Sequence, residues 1–320
     1  MDIELRPLRL AEILDRIFQL YRARFTLFLG IAGVSTILEL LWNVINMAEV
    51  RWLTRHHLAR QWATTVSTIP AWAVLFAAAA LCLAATNRAV AAIYDGEPTS
   101  ILKAFLALRR GWLRYVWVNT LAFFVAWGSI IVVVVVGVMA TLMATRARTL
   151  GQANAVTLVF GATGLLVLFA LPLCLWLTIR YSLAVPACIE ERLGALRSLK
   201  RSVFLTQDTK GRILVLLLIV MAAQGTIVSA FMTPMLVFMV RARGQASPGM
   251  TAYTLAVSAL SSALIKPIYS IGLTLFYYDA RVRKEGFDVE RMLERSSMDA
   301  SHQASNQASN HGVASTGPAV

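Results

Sequence analysis

Two ionisable residues interrupt segments of this chain that are otherwise long and apolar. Glu39 lies within an apolar stretch over residues 26–47. Lys266 lies near the middle of another such stretch, over residues 253–278. Because an uncompensated charge inside a membrane is costly, an acidic and a basic residue in such positions are candidates for a mutual ion pair or for contact with a polar ligand. We therefore predict that Glu39 and Lys266 pair inside a helical bundle.

The neighbours of these two residues extend the candidate site. Asn43 follows Glu39 by one helical turn, which places both side chains on one helix face. Pro267 lacks a backbone N–H, so it frees a carbonyl group beside Lys266. Either the pair serves a polar pathway or ligand site, or it is a structural pair or a lysine that extends toward the membrane surface. The candidate intramembrane polar site consists of Glu39, Asn43, Lys266 and Pro267, with Asn119 or Gln224 nearby.

Residues that could support catalysis are sparse. Ser261 and Ser262 precede Lys266, and a lysine can activate a serine nucleophile, but serine in a membrane helix usually permits close packing. His56 and His57 are adjacent, so on a helix they point about 100° apart and are poorly placed for one metal ion. Motifs typical of hydrolases, phosphate loops and zinc sites are missing from the sequence. We expect no catalytic residue, no metal site and no cofactor, and hence no enzymatic activity.

The elements that must position Glu39 and Lys266 are membrane-spanning helices. Of 320 residues, 58% are hydrophobic and only 15% are charged, whereas soluble domains have about 25% charged residues. A helix needs about 20 apolar residues to cross the hydrocarbon core of a bilayer. Six segments meet this requirement, at about residues 25–47, 71–93, 115–143, 155–179, 213–240 and 253–278.

Each pair of spans follows a shorter amphipathic segment. In residues 1–25 an apolar stripe recurs at helical spacing, and the segments 99–112 and 195–207 show the same pattern. We expect three helices that lie at the membrane interface with their basic side chains among anionic lipid headgroups. The expected headgroup contacts are Arg16, Arg22, Arg24, Lys103, Arg109, Arg110, Lys200 and Arg201.

The sequence therefore predicts an all-α polytopic membrane protein with six transmembrane helices in three hairpins, each preceded by a cytoplasmic amphipathic interfacial helix. Residues 1–294 form the membrane domain, with parallel repeats over 8–96, 98–194 and 195–288. The repeats match weakly, and any protein of surface helices and hairpins shows a similar order. Residues 295–320 are polar and of low complexity, so we expect a disordered tail.

The distribution of basic residues predicts the orientation. Twenty-two of the 30 Lys and Arg residues lie on the side of the two termini, and seven lie in the three loops on the other side. By the positive-inside rule both termini are cytoplasmic. The net charge of +13 is then a topology and headgroup signal, so we expect no nucleic-acid partner. No cleavable signal peptide is expected, because the first 25 residues are amphipathic and charged.

Two segments resemble a known bacterial family. Residues 12–16 (EILDR) with 19–22 (QLYR), and the exit of the last span over residues 275–288 (LFYYDARVRKEGFD), are similar to the family named after the membrane domain of glycerophosphoryl diester phosphodiesterase. The similarity covers about residues 5–295. It implies a six-span membrane domain in the bacterial inner membrane. Some members carry a catalytic barrel, but this chain has none, so the resemblance implies no catalytic residues.

Two functions remain open from the sequence. The favoured one is a non-enzymatic membrane protein of the bacterial plasma membrane that acts as a scaffold or regulator, or engages lipids. The alternative is a small-molecule or lipid transporter with a polar cavity around Lys266 and Glu39. A continuous polar cavity that contains both residues would favour transport. A dry core with a flat basic surface would favour the first function.

Overall fold

The computed structural model describes residues 8–55, 60–146, 152–241 and 248–286, and within these ranges the regular structure is entirely helical. Six of its helices are long and apolar enough to cross a membrane, which confirms the predicted polytopic all-α class. The ten helices are α1 (Leu10–Ala23), α2 (Phe25–Arg55), α3 (Arg60–Tyr94), α4 (Ile101–Leu108), α5 (Trp112–Arg146), α6 (Gln152–Tyr181), α7 (Ala184–Glu190), α8 (Ala195–Thr206), α9 (Lys210–Arg241) and α10 (Pro248–Glu285).

The long helices extend beyond the predicted spans. Residues 48–70 are expected to be a loop with a surface helix, but α2 continues to Arg55 and α3 already begins at Arg60. Pro70 lies inside α3. A proline within a membrane helix is tolerated where neighbouring groups compensate for the lost backbone hydrogen bond. His56 and His57 lie outside the described residues.

Helix α10 is the centre of the bundle. It contacts α1, α2, α3, α7, α8 and α9. All residues from Ser270 to Ala280 are buried. Gly272 allows this close approach, because a Cβ atom there would lie only 2.5 Å from a methyl group of Leu216 and 3.2 Å from one of Ile17. The last span is therefore the element against which six of the other helices pack.

The hairpin of α5 and α6 and the helix α9 lie at the periphery. Their spans are mostly exposed, and the exposed side chains are large and apolar, such as Phe124, Leu168 and Leu218. In a soluble protein such surfaces would be covered, so here they are the faces that contact hydrocarbon. By contrast, α3 buries small residues such as Ala84 and Ala89, which permits close helix packing.

The short amphipathic helices use their apolar stripes differently from the prediction. In α1 the stripe includes Ile13 and Ile17, which are fully buried in the protein core instead of facing acyl chains. The backbone N–H of Leu8 donates to Asp279, and the Tyr21 hydroxyl donates to the carbonyl of Leu264. Helix α1 thus packs lengthwise along α10. Helices α4 and α8 likewise bury one face in the bundle.

A fourth short helix, α7, is absent from the sequence-based prediction. Residues 184–189 are all buried, between α8 on one side and α3 and α5 on the other. Pro186 lies in the first turn of α7, where a missing N–H costs no helical hydrogen bond.

The order of a short helix followed by two spans occurs three times in the described residues: α1–α3, α4–α6 and α8–α10. The three hairpins differ in their environments, since only the last one contains the central helix. Whether the units are true repeats stays a prediction. The tail over residues 295–320 lies outside the described residues.

Candidate intramembrane cavity and charged end

The structure brings Glu39 and Lys266 together. The Nζ atom of Lys266 lies 2.6 Å from Oε1 of Glu39, a distance that indicates a charge-assisted hydrogen bond. The pair joins α2 to α10 across 227 positions of sequence. Both side chains are half-buried, with 40% and 33% exposure for Lys266 and Glu39, so the pair lies at the edge of the bundle core.

The other two members of the predicted site have different positions. Asn43 is exposed, and its amide donates to the backbone carbonyl of Glu39 at 2.7 Å, so it is bonded to the main chain instead of the carboxylate. Pro267 is buried and lines a cavity beside Lys266. The polar site is therefore smaller than the sequence predicted, and it adjoins an open space.

That space is a cavity of about 730 Å³ that is open on one side. Its lining residues come from five helices, α2, α3, α5, α9 and α10. It is flanked on one side by α9 and on the other by α3 and α5. On α9 the lining residues run from Leu217 to Val228, and on α10 from Ser262 to Ser270. Both stretches are in the middle of their spans, so the cavity lies near mid-depth in the membrane.

The walls are mainly apolar, with a few polar groups. Lys266, Asn119 and Gln224 all line the cavity. Gln224 donates to the hydroxyl of Ser261 at 3.0 Å, which connects α9 to α10. Because Glu39 is not among the lining residues and apolar side chains dominate, this is not the continuous polar path that transport of a hydrophilic solute would need.

The predicted headgroup contacts fall into two groups. Arg22, Arg24, Lys103, Arg109, Arg110 and Lys200 are exposed, and Arg16 is half-buried near Tyr94. Arg201 lies instead in an internal network, 2.8 Å from Glu191 and 2.5 Å from Glu285. Burial lowers the pKa of Arg201, but its hydrogen bonds to Glu285 and Glu191 outweigh this effect and raise it above the ordinary value. Arg201 therefore stabilises α8 against α10.

A cluster of ion pairs around Asp279 was not predicted from the sequence. The side chain of Asp279 is fully buried and accepts hydrogen bonds from the Leu8 N–H at 2.8 Å, from Arg212 at 3.2 Å and from Arg283 at 2.9 Å. Both arginines also donate to the carbonyl of Leu8. This cluster fastens the start of α1 and of α9 to the exit of α10. The one signal in the sequence is that Asp279 directly follows three aromatic residues at the exit of the last span.

We call the end of the bundle formed by Leu8, Arg201, Arg212, Asp279 and Glu285 the charged end. No group of three or more His, Cys, Asp or Glu side chains in the described part of the chain could hold a metal ion. Comparison with protein-family models, curated proteins and solved structures gave no match. The resemblance to the phosphodiesterase membrane-domain family therefore stays a prediction.

Proposed function

We propose that this integral membrane protein is non-enzymatic and binds a lipid-like amphiphile in the cavity beside Lys266. The observation that carries the proposal is the open, mainly apolar cavity at mid-depth, with a few polar groups on its wall. Ligand sites typically have 300–1,000 Å³, apolar walls and a small number of polar groups that fix orientation. A volume of about 730 Å³ lies within this range.

The location of the cavity favours a ligand that arrives through the membrane. Its walls include α9 and one residue of α5, and the outer faces of these two helices are exposed and apolar, so the neighbouring phase is hydrocarbon. An apolar chain can enter from that phase without leaving it. The half-exposed Lys266 amine and the amides of Asn119 and Gln224 can donate hydrogen bonds to oxygen atoms of the ligand.

The second candidate is a transporter of such an amphiphile. It is favoured by one observation, the position of the Glu39–Lys266 pair and of the cavity near mid-span, where substrate sites of transporters lie. Movement of the ligand would require α9 to shift relative to α10, and the Gln224–Ser261 hydrogen bond joins these helices at the cavity.

The proposal includes an orientation and a partner. The charged end faces the cytoplasm of a bacterial cell, both termini are cytoplasmic, and the exposed basic side chains of α1, α4 and α8 contact anionic headgroups. Support comes from the excess of Lys and Arg on this side of the chain. A scaffold or regulatory role would use the same surface once the cavity is occupied.

Filling the cavity is expected to remove the ligand. In Gly225→Leu the new side chain points into open space, because an added Cβ at this cavity-lining position meets no atom within 4 Å. The leucine side chain takes the place of several methylene groups of the bound lipid. Burial of each methylene group contributes about 0.8 kcal/mol to binding, so retention of lipid should fall at least about tenfold. The measurement is the amount of lipid per protein after purification in detergent, by mass spectrometry of the extract.

The matched control is Gly164→Leu. Gly164 also has no atom within 4 Å of an added Cβ, but it lies on the exposed face of α6, away from the cavity. We expect it to retain the same lipid as the wild type. Equal retention in both variants would contradict the proposal.

A further inference from the structure

The cavity wall on α9 continues toward the charged end. Lys210, the first residue of α9, precedes Leu217, Met221, Gln224 and Val228 by 7, 11, 14 and 18 positions. These spacings place all five residues on one face of the helix. With a rise of 1.5 Å per residue, Lys210 lies roughly 16 Å from Met221, about the depth of one leaflet of a bilayer with a ~30 Å core.

Lys210 shares an aromatic ring with a second cation. The Nζ atom of Lys210 lies 5.7 Å from the ring centroid of Trp176, and the guanidinium carbon of Arg180 lies 4.8 Å from it. Trp176 and Arg180 belong to the last two turns of α6, which contacts α9. The indole is 42% exposed on the outer surface. Tryptophan at such a position is typical of the boundary between hydrocarbon and headgroups.

These two cations lack an acidic partner in the described part of the chain. Neither forms an ion pair there, whereas Arg201, Arg212 and Lys284 each contact a carboxylate. The Nε atom of Arg180 is buried and has no hydrogen-bond partner among the described residues. An arginine and a lysine with unused donors beside an exposed indole are well suited to a phosphate group, since both side chains donate to phosphate oxygens.

We propose that the ligand of the cavity is a phospholipid whose phosphate binds Arg180 and Lys210. Its acyl chain lies along the α9 face and enters the cavity past Leu217. The glycerol region rests against Trp176, whose indole N–H can donate to an ester oxygen. This inference rests on the proposed function, because it assigns the headgroup of the same ligand. Charge complementarity selects a phosphate, and the apolar stripe above it selects a lipid.

The test compares three probes on the purified full chain by native mass spectrometry. The probes are phosphatidylglycerol, diacylglycerol with the same chains, and glycerol phosphate without chains. The wild type should bind phosphatidylglycerol at least about tenfold more tightly than diacylglycerol, because charge-assisted hydrogen bonds are worth at least about 1.5 kcal/mol each. Glycerol phosphate should bind more weakly than phosphatidylglycerol, and binding of equal strength would contradict the role of the acyl chain.

The double variant Arg180→Gln with Lys210→Gln should lose the preference for phosphatidylglycerol and bind diacylglycerol as the wild type does. Its control, Arg88→Gln with Arg192→Gln, removes two exposed arginines, one on α3 and one between α7 and α8, that lie outside the headgroup contacts and the cavity lining, and it should keep the preference. The phosphate site is wrong if the first variant keeps the preference, or if both variants lose it equally through net charge.

The two proposals fail in different ways. If Gly225→Leu weakens both lipids and the Arg180/Lys210 variant changes neither, the cavity binds lipid and the phosphate assignment is wrong. If Gly225→Leu leaves both lipids unchanged, the cavity proposal is wrong, and the phospholipid inference that rests on it falls as well. Thermal midpoints of all variants within a few degrees of the wild type establish that the differences are not due to unfolding.

Discussion

Replacing Lys266 by methionine is expected to lower the free energy of unfolding by about 3 kcal/mol. The change removes the ammonium group that lies 2.6 Å from the carboxylate of Glu39 and leaves that carboxylate without its partner near the middle of an apolar span. Methionine preserves most of the volume and the unbranched shape of lysine, so lost packing adds little. The measurement is unfolding in detergent by heat or denaturant, followed by circular dichroism.

Exchanging the charges of Glu39 and Lys266 distinguishes the contribution of Lys266 to stability from its contribution to ligand binding. The variant Glu39→Lys with Lys266→Glu restores an ion pair between α2 and α10, so its stability should return to within about 1 kcal/mol of the wild type. In this variant a carboxylate replaces the amine that lines the cavity, and it cannot donate to ligand oxygens. We therefore expect normal stability with reduced lipid retention. Normal retention would assign Lys266 a purely structural role.

The second large loss of stability is expected when Asp279 is replaced by asparagine. Its fully buried carboxylate accepts hydrogen bonds from Arg212, Arg283 and the backbone of Leu8. In Asp279→Asn the two arginines keep their positive charges but lose the only carboxylate that the described structure gives them. Loss of one partner from a buried ion cluster lowers the free energy of unfolding by about 3 kcal/mol or more. The measurement is unfolding in detergent, as for Lys266→Met.

Asp208→Asn provides the control for this change. Asp208 also pairs with a cation, Lys284, at 2.9 Å, but its side chain is 76% exposed. Exposed pairs contribute at most about 1 kcal/mol, so this variant should have nearly wild-type stability. If the two variants were equally stable, the cluster at Asp279 would not fasten α1 and α9 to α10.

Much of the fold could be predicted from the sequence because the bilayer imposes a simple rule. Six apolar segments of sufficient length, each with at most one charged residue, predict six spans, and the structure contains six suitable helices. The ends of the helices were less predictable, since residues 48–70 are polar enough to suggest a loop, and yet α2 continues to Arg55 and α3 begins at Arg60. The helix α7 is not predictable from the sequence, because its seven residues are too few to show a helical periodicity.

The candidate site was predictable only in part. The pairing of Glu39 with Lys266 follows from the cost of isolated charges in apolar spans, and the structure brings them together. The cavity is different, because it arises from the space left among α2, α3, α5, α9 and α10, which no periodicity encodes. Neither the core position of the α1 stripe nor the burial of Asp279 has a local signal, since an amphipathic helix fits a lipid surface and a protein groove equally well.

Photolabelling tests the occupancy of the cavity most directly. A phosphatidylglycerol analogue with a photoreactive group midway along one acyl chain is added to the protein in vesicles, irradiated, and the labelled residues are identified by peptide mass spectrometry. We predict label on Ile265, which lines the cavity and is buried from the outer surface. Label confined to outward-facing residues such as Phe124 and Leu168, with none on Ile265, would contradict lipid binding in the cavity.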